Sequence, residues 1–331
     1  MTKRKSGQFP STAVRDSHDK RANERERARA YADVAPSGAG DGADAGVSAS
    51  GVITSKDNKW IKTFRAALQG GGPKGEEPIA LEGPKLVEDA FRAGLEAEAL
   101  LVSASGDAAA QRILLVASDS EYGIPQSRMF RTTDKIFESV SGTETPQGVA
   151  ALFRQPPVTL EALLKRGAHR GAALLLVLAG VQDPGNVGTA IRSAEAFGAT
   201  GAIALRGTAD PWSPKAVRAS ASSALRLPLL RGADSLAVLS QLRSAGVTVV
   251  AATSHARGEN AREENELFVD LSKPVALLIG SEGKGLPQEL LDAADATIAI
   301  PMTGDVESLN AGIAASILLY EAARQRRAGK L

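Results

Sequence analysis

From position 174 to the C-terminus, short unbroken apolar runs alternate with longer stretches in which apolar residues recur at helical spacing. The runs predict strands at 174–178, 201–205, 248–252, 275–280 and 296–300. The spaced stretches predict helices at 187–197, 214–224, 235–245 and 287–293, and a last helix from 309 to about 324. Continuous apolar strands separated by helices imply a parallel sheet covered on both faces. Upstream the pattern is shorter. A basic helix is expected to open at 53–62 and run to 68. A strand follows at 78–83, a helix at 84–93 with Pro84 in its first turn, strands at 99–103 and 113–117, a helix at 133–140, and a strand at 148–153 after a polar turn.

This alternation divides the chain. A small α/β unit is expected over 52–154, closed by Gln155-Pro156-Pro157. A helical connector with Lys165, Arg166, His169 and Arg170 occupies 155–172, and a larger α/β unit spans 173–327. Residues 1–51 read as a disordered tail. Their first thirty positions hold nine Lys/Arg against four Asp/Glu, and a Gly/Ala/Ser/Asp run without apolar period follows. Such a tail could touch RNA phosphates or simply stay solvated.

Composition narrows the chemistry. The net charge is +1, so any nucleic-acid contact must come from local patches. There is no cysteine, hence no disulfide, thiolate nucleophile or zinc–thiolate site. His18, His169 and His255 lie far apart with no metal-ligand spacing, so no metal is expected. No apolar run approaches the roughly 18 residues of a membrane span, and the basic N-terminus lacks the apolar core of a secretory signal. A cytoplasmic setting is expected.

Ligands of parallel α/β sheets sit beyond the strands' carboxyl ends, and three polar loops fall at such ends here. The first, Gln182 to Ser193, has a Pro184-Gly185 turn, Asn186 placed as an N-cap, and Arg192 on a largely apolar helix. Arg192 is open to two readings, a snorkelling surface residue or a phosphate clamp. The second, Ile279 to Pro287, puts Gly280, Gly283 and Gly285 around Glu282, which lets backbone approach a ligand. It is neither the dinucleotide fingerprint nor a phosphate loop. The third, Ile300 to Asn310, is a strand end, a Thr303-Gly304-Asp305 turn and a helix mouth. Ser308 is expected as its N-cap, with Asn310 beside it.

Three such loops at successive strand ends carry a resemblance. Asn186 to Ala194, Ile279 to Pro287, and Ile300 to Asn310 with the helix after it resemble the motifs of the SpoU/TrmH family. These are S-adenosylmethionine-dependent RNA ribose 2′-O-methyltransferases of the SPOUT superfamily. Asp210 to Ser220 resembles a further family segment, and the likeness covers about 174–324. More loosely, 52–154 is similar to the L30e-like substrate-binding domain that often precedes the catalytic one, with Ile53-Thr54-Ser55 and Leu81-Glu82-Gly83 as points of likeness. Two departures stand out: Ser222 occupies a position usually Gly, and Ala311-Gly312 replaces a frequent Val-Ser pair.

The resemblance implies an α/β catalytic unit with a deep C-terminal trefoil knot, working as a homodimer on RNA with S-adenosylmethionine as cofactor. Carried over by motif, Gly280, Ile300, Met302 and Leu309 would hold the cofactor. Asn186, Arg192, Glu282, Ser308 and Asn310 would form the catalytic group. Arg218 would join Lys56, Lys59, Lys62 and Arg65, spaced by three on the first helix, in meeting RNA phosphates. The methyl donor is already electrophilic, so the protein must align it with a 2′-oxygen and assist proton loss. A guanidinium stays charged in proteins, which favours Arg192 as clamp and leaves the base open. The large-subunit (23S) ribosomal RNA is the expected substrate. Transfer RNA, or a silent RNA-binding module of the same fold, are the alternatives.

Overall fold

The computed structural model describes residues 48, 51–69, 78–120, 122–169, 171–253, 269–304 and 308–328. The expected tail over 1–51 lies outside these residues except at Ser48 and Gly51, as do Arg170, His255 and Asp305.

Two sheets organise the chain. The first has five strands in the order β1-β4-β3-β5-β2: β1 (Val52–Ile53), β2 (Ile79–Glu82), β3 (Ala97–Ser103), β4 (Met129–Thr132) and β5 (Val149–Phe153). β1, β4 and β3 run parallel, while β5 is antiparallel to both β3 and β2. Four helices pack around it: α1 (Lys59–Gln69), α2 (Pro84–Arg92), α3 (Asp107–Ser118) and α4 (Asp134–Glu138). A connecting helix, α5 (Leu160–His169), leads on.

The second sheet is the expected all-parallel one, six strands in the order β11-β9-β10-β6-β7-β8. These are β6 (Leu174–Leu178), β7 (Gly201–Leu205), β8 (Leu229–Ala233), β9 (Thr248–Thr253), β10 (Val275–Ile279) and β11 (Ala296–Ala299). Its helices are α6 (Pro184–Ala196), α7 (Pro214–Ala219), α8 (Ser223–Arg226), α9 (Ser235–Ser244), α10 (Gln288–Asp292) and α11 (Ala311–Ala328). Both faces are buried. Leu174, Leu176 and Leu178 enter one core, and Leu175 and Val177 enter another on the opposite side, as the two-residue period of a strand requires. The first of these cores is continuous with one face of the five-stranded sheet, taking in Val87, Phe91, Leu100 and Phe153.

Several expectations need correction. The apolar run 113–117 lies inside α3, not a strand, and Ala110, Ile113 and Ala117 are buried at helical spacing. The expected helix over 53–68 begins only at Lys59, and Lys56 sits in the turn before it. The expected helix over 214–224 breaks in two, because Ala221 and Ser222 adopt φ of 47° and 68°. Strands β1, β4 and β8 were not expected. β8 contains Arg231 and Gly232 and is only half-buried, so its sequence gives little strand signal.

Candidate active site

Asp183, with extended backbone, holds the N-cap position of α6, and Pro184 follows in the first turn. Asn186 is therefore not the cap that its sequence context suggests; it lies within the first turn with its side chain released from capping. The Asp183 carboxyl is instead held below its ordinary range by a hydrogen bond from Lys215 and by the Gly185 amide.

The cap of α11 is likewise displaced from Ser308. Asn310 Oδ1 accepts from the Gly312 and Ile313 amides at 2.9 and 3.2 Å, the second and third residues of the helix. This fixes the Asn310 amide group outward, where Nδ2 donates to Asn186 Oδ1 at 2.9 Å. Asn186 Nδ2 in turn donates to Glu282 Oε1. Three loops far apart in sequence are thus joined by one directed chain, from helix amides through two carboxamides to a carboxylate. Gly312 lets α11 lie this close to α6: a Cβ there would meet Thr189 Cβ at 3.1 Å and Asn186 O at 3.2 Å. Ser193 and Ser316 hydroxyls, 2.7 Å apart, tie the same two helices one turn further along.

Glu282 rides on a tight loop. Ser281 and Gly285 exchange backbone hydrogen bonds at 2.9 and 3.2 Å, closing a small hairpin in which Gly285 takes φ of 64°. Gly280 passes so close that a Cβ would stand 2.5 Å from Gly285 C and 2.6 Å from Leu286 N. The need for glycine at 280 is met within the loop itself, before any ligand is considered.

Beyond the carboxyl ends of β9, β10 and β11 lies a cleft of about 670 Å³. Ile279, Ile298, Leu286 and Leu318 make apolar walls, and the glycine loop and the 300–309 stretch supply a rim of backbone. Gly280, Ile300, Met302 and Leu309 all line it, as do Glu282 and an exposed Ser308. Apolar walls with backbone donors and acceptors suit a nucleoside with a polar tail. S-adenosylmethionine fits that description.

Arg192 does not join this group. It is exposed on α6 and makes no hydrogen bond or ion pair among the described residues. The proposed basic face also divides. Lys56 and Lys59 are exposed, Lys62 pairs with Asp57 at 3.1 Å, and half-buried Arg65 donates to Ser139 O at 3.2 Å. Arg218 is exposed on α7. Sequence reasoning missed a ring pair next to Lys59 along the chain. The half-exposed Trp60 ring stacks on Phe130, 4.5 Å between centroids, with the Arg128 guanidinium 5.3 Å over it. An aromatic set among lysines was the available signal.

The chain is similar to known proteins over most of its length. The model of the SpoU rRNA Methylase family matches residues 173–320, and that of the MRM3-like substrate binding domain matches 59–151. The 23S rRNA (guanosine(2553)-2′-O)-methyltransferase RlmP of Bacillus subtilis is 32% identical over 269 residues, 81% of this chain and 97% of that one. An uncharacterized tRNA/rRNA methyltransferase of Synechocystis is 31% identical over 284 residues, 83% and 94% of the two chains. The AdoMet-bound rRNA methyltransferase structure from Sinorhizobium meliloti superposes with a TM-score of 0.67 at 31% identity, covering 82% of this chain and 97% of that one. The chain belongs to the SpoU rRNA methylase family. It is an S-adenosylmethionine-dependent RNA methyltransferase.

Proposed function

We propose that the protein methylates a ribose 2′-oxygen of 23S ribosomal RNA, in the cytoplasm and as a homodimer. The observation that carries the site assignment is the Asn310–Asn186–Glu282 chain at the mouth of the cleft. When bound, S-adenosylmethionine supplies an electrophilic methyl group. Gly280, Ile300, Met302 and Leu309 hold it through the cleft wall. Glu282 is the one carboxylate among the described cleft residues, and Asn186 fixes one of its oxygens so that the other can orient a ribose hydroxyl. Arg192, uncommitted and exposed, clamps a backbone phosphate with its fork of donors. Ser308 borders the same space.

Ribosomal rather than transfer RNA is supported by RlmP, whose similarity extends through the substrate-binding unit. In that unit, taken as 52–154, Lys56, Lys59 and the Arg128–Trp60–Phe130 stack offer phosphate and base contacts together. Dimerisation is supported by α11. Ile313, Ile317 and Tyr320, 48, 37 and 50% exposed, form an apolar stripe one helical face wide. A second copy seated there would stand beside Arg192, since α11 packs on α6 through Ser193 and Ser316. The C-terminal knot belongs to the same proposal. Its support is the match of residues 173–320 to the SpoU rRNA Methylase family.

Ribose-methylation mapping of total RNA with and without the gene tests the assignment. Loss of one large-subunit position is expected. Loss confined to a transfer RNA overturns the substrate, and a purified protein that transfers no tritiated methyl to any RNA leaves only the silent binding module.

A further inference from the structure

The corner between α7 and α8 touches both α2 of the five-stranded unit and α6, the helix of Asn186 and Arg192. Ser222 lies there with φ of 68°, left-handed backbone that costs a non-glycine residue about 1 kcal/mol. It stands at the N-cap position of α8, yet its hydroxyl caps nothing. Instead the 3%-exposed side chain turns across to the five-stranded unit, where Oγ donates to Asp89 Oδ2 of α2 at 2.7 Å. Lys85 Nζ donates to the other oxygen of Asp89 at 2.6 Å. Four residues on, Arg226 grips Glu195 of α6 through two parallel hydrogen bonds at 2.6 and 2.7 Å, and its charge also acts on Asp89. The same corner presses on α6 between its two proposed functional residues. A Cβ at Gly188 would lie 2.6 Å from Ala219 Cβ and 2.9 Å from Ser220 N.

We propose that Ser222 is a positioning residue, coupling the RNA-binding unit to the helix that carries Asn186 and Arg192. A glycine at 222 would satisfy the backbone but could not donate to Asp89. Serine here accepts local strain and gains a contact between the two units. The inference rests on the RNA-methyltransferase reading for its kinetic consequence, and on the geometry alone for the contact.

Ser222→Gly suits the positive φ and removes the hydroxymethyl side chain, so the variant folds. It is expected to leave S-adenosylmethionine affinity within twofold and to raise KM for a 23S rRNA fragment about five- to tenfold. Asp89→Ala is expected to do the same, and the double variant to be no worse than either single one, the sign of one shared contact. Hydrogen exchange, measured without RNA, is expected to quicken together at α2 and at 220–226 in Ser222→Gly. Unchanged KM with a lowered melting temperature would make the contact structural only and overturn the proposal. Additive effects of the two substitutions, or exchange unchanged at both segments, would overturn the contact itself. If the wild-type protein methylates no RNA, the functional reading falls, while the exchange and a double-mutant cycle on stability still decide the coupling.

Discussion

Asn310 Nδ2 donates to Asn186 Oδ1 at 2.9 Å across 124 positions of sequence, while Asn310 Oδ1 caps α11. One side chain thus starts a helix and orients a site. The two roles separate by substitution. Asn310→Asp keeps a capping oxygen and loses the donor, so stability stays near wild type while methyl transfer falls at least tenfold. Asn310→Ala loses both and costs about 1 kcal/mol in addition. Urea unfolding beside methyl-transfer rates distinguishes them; equal activity of Asn310→Asp and wild type would remove Asn310 from the site.

Arg192 has no internal partner among the described residues, so removing it leaves no group unsatisfied. Arg192→Ala should retain fold and cofactor affinity within a few-fold while turnover drops severely. Arg192→Lys should recover little, because a point charge lacks the two-pronged geometry. Calorimetry with cofactor and single-turnover rates measure the split; near-normal turnover of the alanine variant contradicts the clamp.

Gly280 changes the expected outcome of its own substitution. The sequence pointed to a glycine that lets backbone approach a ligand, where a new Cβ would meet that ligand. The structure places that Cβ 2.5 Å from Gly285 C, in the backbone of the loop carrying Glu282. Gly280→Ala should therefore already open the hairpin, weakening cofactor binding at least tenfold and quickening exchange of the Gly285 amide. Normal affinity in Gly280→Ala would show that the loop adapts.

Arg326 is half-buried with four carbonyl acceptors and no carboxylate partner among the described residues, and burial pushes its guanidinium down from the ordinary value. Removing it leaves the Ala172, Leu271 and Lys273 carbonyls without its donors, while Ala173 O keeps the Val275 amide, so Arg326→Ala should cost on the order of 3 kcal/mol. Arg326→Lys should restore little, since one ammonium cannot span the four. Denaturant midpoints provide the check, and a loss below about 1 kcal/mol would mean that water replaces the side chain.

Asp89 and Glu195 predict a pH dependence. Burial raises both carboxyls. The hydrogen bonds from Lys85 and Ser222 on Asp89, and from Arg226 and Ser223 on Glu195, outweigh it and leave both below their ordinary values. A depressed carboxyl contributes stability that is present above its unfolded pKa, about 4, and is lost as pH falls through the lower folded value. Unfolding midpoints should drop as pH falls below about 4 and keep falling through the depressed folded values, and the drop should be shallower in Asp89→Asn. The same slope in that variant as in wild type would assign the loss to other carboxylates.

The sequence by itself determined the class of fold, the family and the loops that meet. Strands buried on both faces are apolar throughout, and Gly-rich and polar loops at their ends are local signals that survive any packing. Those signals located Gly280, Glu282 and Asn310 without reference to a partner. They failed where the deciding atoms lie far away along the chain. Ser308 and Asn186 both looked like caps, because capping propensity is local, while Asn310 and Asp183 hold the cap positions. The run 113–117 could be strand or helix until it had a face to bury. Arg65 looked like a free cation until Ser139 came within 3.2 Å. Ser222 showed only a missing glycine, and its hydroxyl found a use only once Asp89, 133 positions away, was packed against it. Local backbone preference and burial pattern are written in neighbouring residues; which donor meets which acceptor is decided only when the two sheets close on a common core.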